Sequence, residues 1–294
     1  MHAGRHVIEK CNSRTNGFRM RNYIGAAQRL VFNSLAAAID RRHNIDPLGA
    51  APRAPKADYL QLFEAARQVR FPEIDRLEAE TGCAIDRDWL DELALHTQIT
   101  IKTSALAYPH GRVLYSLLRR RLADKPEPFT TVVETGTARG FSTICMAKAM
   151  ADAGAAGHVI TVDVLPHQRR IYWNCIDDHE GRKTRAELLQ PWQGLADRIV
   201  FLQGDSLFQL PKVGVNRIHF AFIDAQHTKK NVLLGYQAVA ALQQPGDMIV
   251  FDDVTPGQFE GVVEAVEQIK RQGLYEIRRL VASDSRAYAW GGRR

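Results

Sequence analysis

The pattern of apolar and polar positions divides the chain into a helical first third and a later region in which short strands alternate with helices. Between 20 and 43, apolar residues recur every three or four positions, which is the spacing of an amphipathic helix. A segment rich in proline, glycine and alanine follows at 46–58, and it is typical of a linker. Helical patterns return around 58–69 and at 87–97.

From about residue 129 the pattern changes to short apolar runs rich in β-branched residues. These runs are "FTTVVE", "HVITVD", "RIVFLQ", "IHFAFID" and "DMIVFDD". Strands that lack polar alternation and are separated by helices indicate a parallel sheet with both faces buried. The last two runs, "LYEIRRLV" and "RAYAWGG", are joined only by "ASDS", and a parallel crossover needs about a dozen residues or more, so this pair must be antiparallel.

We therefore expect two parts. The residues 1–104 would be a helical extension or lid, and 105–294 would be the α/β domain. The stretch "YPHG" at 108–111 breaks the chain before the helix "RVLYSLLRRRL", and His110 is a candidate for a region that closes over a ligand or simply for a turn.

Composition limits the classes of protein that the chain can represent. It has 294 residues, 45% of them hydrophobic, which is enough for a full core, and no run approaches the roughly 18 apolar residues of a membrane span. Its first residues lack the apolar centre of a secretion signal, so we expect a cytoplasmic protein, although the Arg-rich start also resembles an organelle transit peptide. The four cysteines are scattered, as in a reduced protein.

The net charge of +6 is small for this length, and the basic residues form short clusters such as "LLRRRL" and "GGRR". Clusters of this kind are usually solvated faces or tails. A nucleic-acid partner is therefore not expected.

The turn "ETGTARGFS" after the first strand is the strongest candidate for a binding site. In an open α/β sheet, ligands bind outside the carboxyl ends of the strands, and Gly136 and Gly140 would let the backbone approach one. The spacing E-x-G-x-x-x-G is not that of a dinucleotide-binding turn, and no Lys-Ser/Thr follows as in a phosphate loop. The alternative is a tight strand-to-helix turn with no ligand.

Polar residues also end the next two strands. Asp163 follows the second strand, where an acid can accept both hydroxyls of a ribose, and Asp205 and Ser206 follow the third, where they could meet an adenine ring. Each acid alone could instead cap a helix. Three polar strand ends in series favour a nucleoside site.

With these motifs, the sequence from about 105 to 294 resembles the class I S-adenosylmethionine-dependent methyltransferases. The resemblance implies a Rossmann-like, seven-stranded, mostly parallel sheet with an antiparallel C-terminal strand. It also implies that the cofactor is S-adenosylmethionine and that Ser142 holds the methionine carboxylate, as in catechol-type members. The cofactor residues implied in this way are Glu134, Gly136, Thr137, Gly140, Ser142, Asp163, Asp205, Ser206 and Asp224.

Acidic residues end the fourth and fifth strands. Adjacent parallel strands would bring Asp224, Asp252 and Asp253 to one edge of the sheet, where three carboxylates repel one another unless they are protonated or bridged by a cation. Oxygen ligands favour a hard ion such as Mg²⁺. The alternative is that Asp252 and Asp253 cap a helix while Asp224 contacts only the cofactor.

This arrangement is similar to the metal site of cation-dependent O-methyltransferases of the catechol, caffeoyl-CoA and macrocin types. The Asp-Asp pair is closer to the sugar-modifying branch than to the catechol type, which has Asp-Asn. The position of the catechol-type lysine is His227 here, and the position of the macrocin-type acid is Gln226. We expect His227 to be the general base, because an imidazole can take a proton from an activated hydroxyl.

The sequence therefore predicts an O-methyltransferase, dependent on S-adenosylmethionine and Mg²⁺, that acts on a sugar, a glycoside or a catechol-like diol. The helical first third would shape the acceptor pocket or form a homo-oligomer surface. Two other functions remain open, a non-catalytic cofactor-binding subunit and a different enzyme on the same fold, such as the related proteins named cephalosporin hydroxylases. A nicotinamide oxidoreductase is disfavoured by the glycine spacing.

Overall fold

The computed structural model describes residues 46–103, 106 and 108–294, together with positions 31 and 33–35, which are helical. The rest of the helix predicted for 20–43 lies outside the described residues. Within the described residues from 46 onward, four helices precede the sheet: α1 (Lys56–Arg67), α2 (Pro72–Thr81), α3 (Arg87–Thr97) and α4 (His110–Asp124). The sequence pattern predicts α1, α3 and α4.

Seven strands form one sheet in the order β3-β2-β1-β4-β5-β7-β6. They are β1 (Thr130–Thr135), β2 (Gly157–Asp163), β3 (Ile199–Gln203), β4 (Phe220–Ile223), β5 (Met248–Phe251), β6 (Tyr275–Ser283) and β7 (Arg286–Arg293). The first five strands pair in parallel, whereas β7 pairs antiparallel with both β5 and β6. The predicted fold class is therefore confirmed.

Helices cover both faces of the sheet. They are α5 (Phe141–Asp152), the one-turn helices α6 (Arg185–Leu188), α7 (Gln193–Ala196) and α8 (Ser206–Gln209), and the longer α9 (Lys229–Ala240) and α10 (Glu260–Gln272). One hydrophobic cluster joins α1–α5 to one face of the sheet, and a second joins α9 and α10 to the other. This burial on both faces explains why the parallel strands read as unbroken apolar runs.

The chain reverses its direction of winding at β1, which lies between β2 and β4. The carboxyl ends of these strands form the crevice in which this type of sheet binds ligands. Every predicted site residue lies at or just beyond a strand of this edge, or in the first turn of α5. Among the residues that the structure describes, no helix combines the length and the apolar character needed to cross a membrane.

Candidate functional site

The turn after β1 is held in a conformation that needs glycine at two positions. Gly136 and Gly140 have φ angles of 93° and 96°, values that residues with a Cβ rarely adopt. A Cβ on Gly136 would lie 2.3 Å from the carbonyl oxygen of Asp224, and one on Gly140 would lie 2.9 Å from Leu189. Both predicted glycines are thus required by backbone geometry, Gly136 also by the close approach of β1 to the end of β4, and Gly140 also by the side chain of Leu189.

Glu134 lies fully buried beneath this turn and accepts three hydroxyl hydrogen bonds. Ser142 and Thr143 each donate to it from α5, and the Thr161 hydroxyl donates across from β2 at 2.5 Å. Burial raises the pKa of the Glu134 carboxyl, while these three donors oppose the shift. The predicted role of Ser142 towards the methionine carboxylate stays a prediction, because in this structure its hydroxyl binds Glu134.

A cavity of about 220 Å³ lies beside the turn, over the ends of β2 and β3. Asp163, Asp205 and Ser206 line it together with Gly136. The two Asp163 oxygens accept hydrogen bonds from the backbone nitrogens of Ala138 and Leu165, both at 2.6 Å. A carboxylate has about four acceptor sites, so Asp163 can still accept from a ligand hydroxyl.

Asp205 has the helix-capping role that the sequence left open. It is the N-cap of α8 and accepts from the Leu207 nitrogen at 2.9 Å. Its second oxygen accepts from Gln226 at 3.2 Å. Asp205 still lies on the cavity wall, so its role as the N-cap of α8 is compatible with contact to a ligand.

A second cavity, of about 380 Å³, opens on the other side of the same turn and also includes Gly136 among its lining residues. Asp224, His227, Asp252 and Asp253 lie on its wall. The structure therefore brings together the three aspartates and the histidine that the sequence predicts at the ends of β4 and β5.

The aspartates are not equivalent. The pKa of the Asp224 carboxyl is raised well above its usual range, first by removal from water and then by the charges of Asp252 and Asp253. Burial also acts to raise the pKa of Asp252, but the net shift is downward, since the positive charge of Arg286 lies beside this carboxyl. Asp253 has a φ of 56°, a left-handed conformation that is uncommon for residues other than glycine.

Arg286, the first residue of β7, lies between the two acids that follow β5. One of its terminal nitrogens, Nη1, donates to Asp253 at 2.5 Å and to both oxygens of Asp252 at 3.2 and 3.3 Å. Burial acts to lower the pKa of Arg286, but the negative charge of Asp252 and the other nearby groups raises it overall, so the guanidinium is charged.

His227 reaches the other oxygen of Asp253. Its Nε2 lies 2.9 Å from that oxygen, and the imidazole packs against Phe259 with ring centroids 4.7 Å apart. A Cβ on Gly261 would lie 2.5 Å from the His227 carbonyl, so this glycine lets α10 approach the loop that carries the histidine. The His227 side chain is 45% exposed, which leaves the ring open to the cavity.

His110 is buried at the start of α4 and lines the second cavity. Its ring lies between Phe141 and Phe222, and its Nδ1 is 3.8 Å from Asp252, too far for a hydrogen bond. Burial lowers the pKa of His110, so its imidazole is neutral. Its weakly predicted role in closing over a ligand remains a prediction.

Several site residues were not predicted from the sequence. Thr143 and Thr161 complete the set of hydroxyl donors around Glu134, and Lys102 lines the second cavity together with Arg286. The position of Arg286 in the sequence could have indicated that it belongs to the site. It follows the turn "ASDS" and starts a strand antiparallel to β5, so it must lie near the carboxyl end of β5.

Comparisons with known proteins agree with this geometry. The profile of a family described as "Methyltransferase domain" matches residues 133–254, the segment from β1 to just beyond β5. A catechol O-methyltransferase of Mycobacterium tuberculosis is 32% identical over 126 residues, which are 43% of this chain and 49% of that protein. The match thus spans about half the length of that curated relative.

Two solved structures resemble the fold. Cofactor-bound Rv0187 from MTB is 25% identical with a TM-score of 0.50, over 77% of this chain and 99% of that one. The O-methyltransferase TomG from Streptomyces achromogenes, in complex with SAM, has a TM-score of 0.51 over 71% of this chain and 91% of that one. TomG is 19% identical and shows the fold alone.

The fold, the glycine turn and the partial family match agree: residues 133–254 are similar to a methyltransferase domain, and the resemblance of the chain to S-adenosylmethionine-dependent O-methyltransferases is confirmed.

Proposed function

We propose that the protein is an S-adenosylmethionine-dependent O-methyltransferase that acts on a hydroxyl of a small molecule. The observation that carries this proposal is the meeting of two cavities at Gly136. One is lined by the acids suited to a nucleoside, and the other by His227 and the aspartates. A ligand that spans the glycine turn would place its nucleoside in the smaller cavity and its reactive end in the larger one.

The residues present fit the cofactor. Asp163 would accept the ribose hydroxyls, Asp205 and Ser206 would border the adenine, and the backbone from Gly136 to Ser142 would lie against the methionine end. The absence of a Cβ at Gly136 makes room at the junction of the two cavities. When bound there, S-adenosylmethionine supplies an electrophilic methyl group on a sulfonium.

His227 would take the proton of the acceptor hydroxyl. Asp253 lies 2.9 Å from Nε2 and holds the ring over the cavity, while the other ring nitrogen remains to receive a proton. The hydroxyl proton would pass to this imidazole as the acceptor oxygen receives the methyl group. Alignment of the oxygen with the methyl group is supplied by the cavity wall.

The Mg²⁺ site expected from the sequence fits these residues poorly. It requires Asp252 and Asp253 to face a common ion, but in the structure both carboxylates bind Arg286. Ligand atoms of Asp224, His227 and Asp253 do lie within 4.8 Å of one another. We therefore derive no step of the reaction through a metal.

The helices before the sheet contribute to the acceptor side. Thr97, Gln98, Thr100 and Lys102, at and beyond the end of α3, line the larger cavity opposite the glycine turn. This supports the proposal that the first part of the chain shapes the acceptor pocket. We propose acceptors of the sugar, glycoside or catechol-like class, whose size suits a cavity of about 380 Å³.

Titration calorimetry with S-adenosylmethionine and S-adenosylhomocysteine tests the cofactor. We expect saturable binding of both, and weaker binding when Asp163 is replaced by Ala, because the ribose acceptor is lost. Asp197→Ala, a change at an acid after α7 that lies outside both cavities, is the matched control. No heat and no thermal stabilisation with either ligand would contradict the proposal.

Methyl transfer is then measured with radiolabelled S-adenosylmethionine on a panel of sugars, glycosides, phenols and vicinal diols. Transfer to a hydroxyl of any member supports the activity. Cofactor binding with no transfer across the panel would favour the non-catalytic cofactor-binding subunit.

A further inference from the structure

We propose that the guanidinium of Arg286 takes the place of a divalent cation at the ends of β4 and β5, so that this site transfers methyl groups without a metal ion. The inference rests on the proposed methyltransferase function and specifies its cofactor requirement. It identifies Arg286 as a positioning residue, since it acts through Asp252 and Asp253.

The contacts of the Arg286 guanidinium support this proposal. Nη1 of Arg286 contacts three carboxylate oxygens, two from Asp252 and one from Asp253, at 2.5–3.3 Å. An ion bridging Asp252 and the same oxygen of Asp253 would compete with this nitrogen for its position. The Asp252 and Arg286 side chains are 1% and 7% exposed, so the pair has little access to water that could replace the contact.

The backbone fixes Arg286 in this position. The Val254 nitrogen donates to the Ala287 carbonyl at 2.9 Å, and the Ala287 nitrogen donates to the Thr255 hydroxyl at 3.0 Å. These bonds tie the start of β7 to the loop that carries the two acids. Displacing the guanidinium would separate a buried cation from both carboxylates and place it beside an incoming divalent ion of the same sign, which costs free energy.

The other possible metal ligands do not form a second metal site that is compatible with His227 acting as the general base. A cation held by Asp224, His227 and Asp253 would need His227 as a ligand. With one ring nitrogen bound to the ion, the other nitrogen of the neutral imidazole carries the ring proton, so the ring could not accept the proton of the acceptor hydroxyl. Arg286 and His227 instead bind different oxygens of Asp253. Arg286 can therefore compensate the negative charge of the aspartates while His227 accepts the proton of the hydroxyl.

Replacement of a metal ion by Arg286 affects which acceptors the site prefers. A metal ion favours vicinal diols, because it can chelate two adjacent hydroxyls, whereas an arginine that is already bound to two carboxylates offers no such chelation. One hydroxyl is therefore sufficient, and vicinal diols should have no general advantage over matched single alcohols or phenols.

The test measures Mn²⁺ binding to the full chain by electron paramagnetic resonance, in parallel with S-adenosylmethionine binding by calorimetry. The variant Arg286→Met removes the charge but keeps much of the side-chain length. Arg279→Met, at an exposed position of β6, is the matched control. We expect Arg286→Met to bind Mn²⁺ at least about tenfold more tightly than the wild type and the control, because a nearby positive charge is removed. The added change Asp253→Asn should abolish the gain.

Thermal unfolding gives a second measurement that does not need activity. Arg286→Met should have a lower Tm than the wild type, and Mn²⁺ or Mg²⁺ should restore part of the loss, while neither ion shifts the Tm of the wild type. Arg286→Lys, which keeps a cation, should show no rescue by metal. If Arg286→Met does not fold, the wild-type Mn²⁺ titration decides alone.

Stoichiometric Mn²⁺ binding by the wild type would overturn the proposal, as would methyl transfer that chelation abolishes and Mg²⁺ restores. Failure of the wild type to bind S-adenosylmethionine would instead refute the proposed function, and calorimetry detects that outcome separately.

Discussion

Gly136 is the residue at which the backbones of β1 and β4 and the two cavities come together. Replacing it with Ala would place a Cβ 2.3 Å from the Asp224 carbonyl oxygen, so the turn or the end of β4 must move. We expect Gly136→Ala to weaken S-adenosylmethionine binding at least about a hundredfold, because the displaced backbone would intrude on the site. Calorimetry measures the change.

Gly154 provides the control for this prediction. Its φ of 63° is also positive, but a Cβ there would meet nothing within 4 Å. Gly154→Ala therefore carries the backbone strain without the clash. If both variants bound the cofactor equally, the close approach at Gly136 would have no functional role.

His227 is the second residue whose role can be measured. We expect His227→Ala to lower kcat for methyl transfer by about 10²–10⁴-fold, the usual contribution of a general base, with little change in cofactor affinity. His179→Ala, a change at a histidine that bonds the Ala54 carbonyl outside both cavities, should leave kcat unchanged. A kcat retained in His227→Ala would exclude the base role.

For single residues, the sequence identifies the site residues that follow predicted parallel strands. It misses those that other parts of the fold bring to the site. Asp163, Asp224 and Asp252 are predictable because parallel strands end at one edge of the sheet. Arg286 comes from the strand that runs the other way, and its pairing with Asp252 depends on the register of β7 against β5. Composition and periodicity do not determine that register.

At the scale of elements, all seven strands are visible in the sequence, because burial on both faces leaves a continuous apolar run in each parallel strand. The helix α2 is not visible, since its ten residues include acids at several positions and only one narrow buried stripe. The segment from β2 to β3 is also hidden. It contains short helical turns packed around the buried side chains of Trp173 and Arg185, with no repeating period to detect.

The helices α2 and α4 are joined by a buried ion pair. Arg112, fully buried on α4, donates from Nε to Glu78 of α2 at 2.8 Å and from Nη2 to Asp75 at 2.5 Å. Arg112→Met would remove from buried Glu78 the partner that donates two hydrogen bonds to it, leaving the longer contact to Arg87 at 3.6 Å. We expect the free energy of unfolding to fall by about 3–5 kcal/mol, as is usual when one member of a buried pair is removed.

The double variant Arg112→Met/Glu78→Gln is the control, because it removes both charges and should recover part of the loss. Urea denaturation measures all three proteins. Equal stability of the single variant and the wild type would show that the pair does not hold α2 against α4.

At the scale of the whole molecule, one hydrophobic cluster continues from Tyr59 of α1 to Phe220 and Phe222 of the sheet. The described helices that precede the sheet therefore share a core with it. The predicted division into 1–104 and 105–294 remains a proposal about function, with the first part forming the acceptor side of the cavity. A change in α1 that loosens this cluster should reach the site through packing.

Buried histidines couple the stability of the whole molecule to pH. Burial lowers the pKa of His158 and His219, and it lowers the pKa of His167 to about 4. Nδ1 of His219 also accepts a hydrogen bond from the Thr131 nitrogen at 2.9 Å, which requires that nitrogen to be unprotonated. In the unfolded chain the same groups titrate near 6.5. Below that pH the unfolded chain binds more protons than the folded one, so stability rises with pH.

We therefore expect the free energy of unfolding to decrease between pH 7 and pH 5, by about 2 kcal/mol from His167 and further in the same direction from His158 and His219. Carboxyls with lowered pKa, such as Asp177 and Asp247, add a further loss only at lower pH, below their unfolded values near 4. Urea unfolding at several pH values measures the slope, and His167→Phe, which keeps the stacking on Phe201, should reduce it. A free energy of unfolding that stays constant from pH 7 to pH 5 would mean that these histidines take up protons in the folded protein as readily as in the unfolded chain. Burial would then not lower their pKa values.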